Sequence, residues 1–157
     1  MAIINPNDFN DAIRLLLDET FDHVHGLFLD RNTSFFETLA TISADEASRP
    51  VGGRCATLAA QVKHTAFYLD VSLQFMRGPA PTDIDWDEIW RTVSMVTDDE
   101  WRTIQGELRA AYDRALAFLN EPREDYDVDQ LAGRMALIVH SAYHLGELRQ
   151  ALCTLQG

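Results

Sequence analysis

The stretch LAGRMALIVHSAYHLGELRQALCTL, residues 131–155, decides the fold. It holds no proline, and its apolar side chains return every third or fourth residue, so it reads as one long helix. Leu137, His140, His144, Leu148 and Ala151 share one face of that helix. Residues four apart sit one above the other. The two histidines are therefore stacked on a face that is apolar on both sides, and they point inward. A long helix of this kind needs further helices to cover it.

Those helices are legible upstream. Residues 7–30 carry Phe9, Ile13, Leu16, Leu17, Thr20, Val24, Leu27 and Phe28 at helical spacing, behind an Asn5-Pro6-Asn7 start. Ser34-Phe35-Phe36-Glu37 and Ser43-Ala44-Asp45-Glu46 have the spacing of capping boxes and predict short helical turns. A loop through Pro50, Gly52 and Gly53 leads into a second long helix over residues 54–77, which Gly78-Pro79 ends. On it, Leu58, Val62, Leu69, Leu73 and Met76 form one stripe, and His64, Tyr68, Val71 and Phe75 form an adjacent one. A helical turn is expected near residues 86–91. Thr97-Asp98-Asp99-Glu100 opens a third long helix with Trp101, Ile104, Leu108, Tyr112, Leu116 and Leu119, and Pro122 ends it. The fourth opens near Asp127. Strand alternation is not visible anywhere. The expected fold is all-α: a single domain over residues 1–157, built as a four-helix bundle with short extra helical turns in its two long connections.

Composition sets outer limits. The chain has 157 residues and a formal net charge of −12, with 46% hydrophobic and 24% charged residues. Such a negative field repels phosphate backbones and anionic lipid, so neither nucleic acid nor membrane is an expected partner. No apolar run approaches the ~18 residues of a membrane span. The opening residues carry no leader pattern, which makes the cytoplasm the expected compartment. Cys55 and Cys153 are too few for a disulfide scaffold and are read as small buried or half-buried thiols. Each stands nine residues from His64 or His144, about 13 Å along a helix, too far to share a metal with it.

The chemistry gathers at His64, His140 and His144. A buried trio of imidazoles without a metal leaves nitrogens unpaired or charges in repulsion. Three protein ligands with open positions make a reactive metal site. Imidazole suits zinc, nickel, iron or copper. The alternative is three core histidines bonded to carbonyls or tyrosines. His23 and His25 lie two apart on the first predicted helix, pointing to different sides, and are not expected to chelate together. Trp86, Trp90 and Trp101 are read as closing the bundle or a dimer contact, with a pocket wall as the alternative. The acidic runs at residues 83–88 and 98–100 read as a solvated face and helix starts. Motifs for serine nucleophiles, phosphate loops and dinucleotides are absent.

The run His140-Ser141-Ala142-Tyr143-His144-Leu145-Gly146-Glu147-Leu148-Arg149-Gln150 resembles the C-terminal helix signature of the DinB-like superfamily, His-x-x-x-His-x-Gly-Gln/Glu followed by Arg-Gln. Ala59-Ala60-Gln61-Val62-Lys63-His64 resembles the segment carrying that family's first ligand, and Arg77-Gly78 and the regions of Trp90 and Trp101 fit too. The likeness spans nearly the whole chain. It implies an up-down-down-up bundle, a homodimer, and a divalent cation on His64, His140 and His144, with zinc or nickel expected. It also implies a small-molecule substrate, because characterised relatives use the metal to activate a low-molecular-weight thiol for S-transfer. Hydrolysis by metal-activated water and a non-catalytic, dimeric stress-response role are the alternatives. Glu147 stands where many relatives have glutamine. It can orient His144 or act as a base; the bland reading is a solvated glutamate. Tyr68 can offer its hydroxyl to a reacting group or stay a core aromatic. Lys63 and Arg149 are candidate contacts for a thiol cofactor.

Overall fold

The computed structural model describes residues 5–52, 55–122 and 124–157. Gly53 and Arg54, where a loop was expected to end and the second long helix to begin, lie outside the described residues. Seven helices follow one another among the described residues: α1 (Pro6–Phe21), α2 (Phe35–Leu39), α3 (Ala44–Ala47), α4 (Leu58–Arg77), α5 (Glu88–Thr92), α6 (Asp98–Leu119) and α7 (Val128–Gln156). The protein is all-helical there, apart from an isolated bridge between Pro50 and Thr57. No helix among the described residues is long and apolar enough to cross a membrane.

Local chemistry sets most helix starts. Ser34 with Glu37, Ser43 with Glu46, and Thr97 with Glu100 each form the expected reciprocal capping box, as do Asp127 and Gln130 at the head of α7. Asn5 caps α1 through a 2.9 Å bond from the Asn7 amide, with Pro6 in the first turn. Thr57 caps α4 and Gly78, at φ 60°, ends it.

The expected helix over residues 7–30 is overturned: α1 stops at Phe21. The physical reason is Glu19, which is fully buried. Its carboxylate accepts the backbone N–H groups of Leu27, Phe28 and Leu29 at 2.9–3.1 Å, pulling residues 26–29 back over the helix end. Gly26 supplies the left-handed φ of 79° that the reversal requires. Leu27 and Phe28, which continue the helical pattern in sequence, are instead exposed.

Among the long helices, α4 packs against α6 and α7, and α1 packs against α7 and α6. Leu17, Phe21, Phe35, Leu58, Val62, Leu69, Leu108, Phe118, Leu137 and Leu148 have no solvent exposure. Phe21 stacks between Phe35 at 5.1 Å and Tyr112 at 5.0 Å, tying α1, α2 and α6 together. Burying each such side chain stabilises the fold by roughly 1.5–3 kcal/mol. Helices α4 and α7 run antiparallel: Met76 meets Gly133, Tyr68 meets His140, and His64 meets His144. Gly133 permits this approach, because a Cβ there would come within 2.9 Å of the Met76 sulfur.

Candidate metal centre

The antiparallel seam of α4 and α7 brings His64 together with His140 and His144, the pair whose spacing on one helix face was legible in sequence. One ring nitrogen from each lies within 4.8 Å of the others. His64 Nε2 and His140 Nε2 stand 3.2 Å apart. His64 and His144 are buried, 7% and 6% exposed, and His140 is half-buried.

Electrostatics keep the trio neutral. Burial, reinforced by repulsion from His144, pulls His64 from the ordinary 6.5 down to about 4. Burial and repulsion from His144 and His64 pull His140 down to about 4 as well. Burial also lowers His144, against the opposing pull of Glu147. Each imidazole therefore offers a lone pair at neutral pH, the form that binds metals.

Glu147, one turn along α7, accepts a 3.0 Å bond from His144 Nδ1. That bond leaves His144 Nε2 with its lone pair facing the cluster. The Glu147 carboxylate also lies near Tyr143 and holds that phenol above its usual range. Tyr68 stacks on His140, with ring centroids 3.5 Å apart and an interplanar angle of 14°.

The donor set fits a cation. Two neutral Nε2 atoms facing each other at 3.2 Å share at most one proton; with both protons on Nδ1 instead, the two lone pairs face one another, an arrangement that a cation between them relieves. A divalent ion uses both facing lone pairs. At a metal–nitrogen distance of about 2.0–2.1 Å, the ligands of a tetrahedral site stand about 3.3–3.4 Å apart, close to the 3.2 Å between His64 Nε2 and His140 Nε2.

No family model matches this chain, and no curated protein or solved structure matches it. Geometry and donor chemistry carry the site.

Several expectations change. Trp90 is a wall of the site: its ring centroid is 4.4 Å from that of His64 and 6.4 Å from that of His144. The signal was weak in sequence because α5 is only five residues long. Trp86 packs on Phe67 and Tyr68, while Trp101 is a core residue whose Nε1 donates to the Ile42 carbonyl at 2.9 Å. Lys63 and Arg149 face elsewhere. Lys63 pairs with Glu107 of α6 at 2.5 Å, and Arg149 donates to Thr38 Oγ1 at 3.2 Å. Cys55 and Cys153 are exposed, not buried; Cys153 follows buried Leu152 and so turns outward. His23 and His25 lie beyond the end of α1, and both turn to Asp18, at 3.3 and 2.7 Å. Asp18, Asp22 and His23 form a second group of ligand-capable atoms. Its members are already engaged, since Tyr112 donates to Asp18 and Arg109 clasps Asp22 with two bonds.

Proposed function

We propose that His64, His140 and His144 hold one divalent cation, zinc or nickel, and that the protein is a metal-dependent enzyme acting through a low-molecular-weight thiol. The convergence of three neutral imidazoles on the α4–α7 seam carries this reading. The frame would be an up-down-down-up four-helix bundle of the DinB-like kind, working as a cytoplasmic homodimer. The exposed Met135, Val139 and Tyr143, four residues apart along α7, support a partner surface.

When bound, the cation supplies Lewis acidity that lowers the pKa of a thiol or water in an open position. The protein's own groups divide the remaining work. His64 and His140 supply neutral nitrogens. Glu147 fixes the tautomer of His144 and raises its basicity. Trp90 and Tyr68 cover the rings and exclude water.

The engagement of Glu147 supports the thiol reading over hydrolysis. A hydrolase needs a general base free to take a proton from water. Glu147 already accepts from His144. Hydrolysis remains the second reading, with Glu147 as its base.

Cobalt-substituted protein tests the proposal. Thiols should produce a sulfur-to-metal charge-transfer band that is absent in His140→Ala. A protein that binds cobalt yet shows no such band with any thiol, while cleaving ester substrates, would favour hydrolysis.

A further inference from the structure

The chain carries 25 acidic residues, yet no carboxylate among the described residues pairs with Arg149. Arg77, Arg91, Arg109 and Arg114 each hold an aspartate or glutamate. Arg149 instead donates one N–H to the neutral Thr38 hydroxyl at 3.2 Å. Thr38 is buried, 3% exposed, so the bond fixes where the guanidinium sits. Arg149 is otherwise exposed, and its planar fork is the shape that grips a carboxylate with two parallel bonds.

That guanidinium borders a cavity of about 460 Å³. The volume falls within the ~300–1,000 Å³ of small-molecule sites. Phe28 and Leu29 form one wall, and Leu145, Gly146 and Cys153 of α7 form the other. Among the described residues of the lining, Arg149 is the one charged side chain. The acid nearest to it along α7, Glu147, lies roughly 160° around the helix and is engaged with His144. The net charge of −12 repels anions at long range, but salt screens most of that. At contact an anion meets the guanidinium.

The Phe28 wall is preformed. Glu19, fully buried, accepts the backbone N–H groups of Phe28 and Leu29 at 3.0 and 2.9 Å. A buried carboxylate is costly unless bonds of this kind satisfy it. The outcome is a Phe28 side chain that stays 45% exposed and lines the cavity instead of joining the core.

We infer that this cavity binds a small monocarboxylate with an apolar body, its carboxylate on Arg149 and its body on Phe28, Leu29 and Leu145. The site stands apart from the histidine cluster. Arg149 is five residues past His144, about 7.5 Å along the helix axis and roughly 140° around it. A cation on the histidines would add to the attraction, so binding is read with and without one.

The test uses Cys55→Ser protein, in which Cys153 on the cavity wall is the remaining thiol. Metal-free and zinc-loaded samples are alkylated with uncharged iodoacetamide while hexanoate, hexan-1-ol, hexylamine or acetate is titrated. Mass spectrometry follows Cys153. Hexanoate should protect it saturably in both samples, about fivefold more tightly than hexan-1-ol or hexylamine, because a half-open guanidinium keeps part of a charge-assisted bond. Acetate, lacking the apolar body, should bind about tenfold more weakly than hexanoate. Arg149→Gln should weaken hexanoate about fivefold with hexan-1-ol little changed, and Phe28→Ala should weaken both about threefold. Far-ultraviolet circular dichroism checks that each variant keeps its helices. Absence of saturable protection by millimolar hexanoate would overturn the site. So would protection confined to zinc-loaded samples, which would put the carboxylate on the metal. Hexan-1-ol or hexylamine binding as tightly as hexanoate would overturn the monocarboxylate class, and an unaltered hexanoate affinity in Arg149→Gln would overturn the role of Arg149. Failure of zinc to load would sink the metal-centre reading alone, since protection in the metal-free sample decides this inference.

Discussion

Replacing Glu19 by alanine should destabilise the protein by about 3 kcal/mol, because it removes the acceptor of three backbone N–H groups. Those donors belong to Leu27, Phe28 and Leu29, and Glu19 itself is fully buried. Each buried donor left unsatisfied costs about 1–3 kcal/mol, and water entering beside the exposed Leu27 and Phe28 recovers part of it. Glu19→Gln should cost less, about 2 kcal/mol, since one oxygen still accepts while the new amide faces the Leu27 N–H. The effect also has a pH signature. Burial raises the Glu19 pKa, but the backbone bonds outweigh it and hold the carboxyl below its ordinary 4.5. A depressed carboxylate contributes stability above its unfolded pKa and loses it as pH falls through the folded one. The gap between wild type and Glu19→Ala should therefore be full at neutral pH and shrink below 4.5. Urea unfolding followed by far-ultraviolet circular dichroism measures both. A loss under about 0.5 kcal/mol at neutral pH, the level of an ordinary surface substitution, would refute the reasoning.

Glu147→Gln should weaken zinc binding about 10–100-fold without unfolding the chain, as read by chelator competition, because His144 loses a charged acceptor. Unchanged affinity would show that the His144–Glu147 bond does not tune the site. Chelator-treated protein should lose stability as pH falls from 6.5 towards 4, since the unfolded histidines take up protons that folded His64 and His140 resist. A urea midpoint that stays flat over that window in the metal-free protein would show that the two histidines are not depressed.

Much of this was legible in the sequence because it is local. The boxes at Ser34, Ser43 and Thr97 need only a residue and its neighbour three positions on. The pairing of His140 with His144 needs only the helical period, and the inward face of His64 follows from the stripe it shares with Tyr68 and Val71. What was hidden depends on contacts distant in sequence. Val24, Leu27 and Phe28 keep the helical rhythm, so the end of α1 becomes visible only once Glu19 is seen to prefer backbone donors eight to ten residues away. Lys63 finds Glu107 across 44 positions and Arg149 finds Thr38 across 111, so neither could be placed by spacing. Trp90 reaches His64 through a helix too short to announce a face. Arg134, 1% exposed and bonded to Asn10, gave no sign that a charge lies within α7's buried side.

The most direct measurement is the metal content of tag-free protein, purified without nickel resin, beside a His144→Ala variant. The account predicts about one zinc or nickel ion per chain, lost in the variant while the helical spectrum persists. A metal-free wild type that also fails to take up zinc or nickel would contradict it, and the three histidines would be core residues.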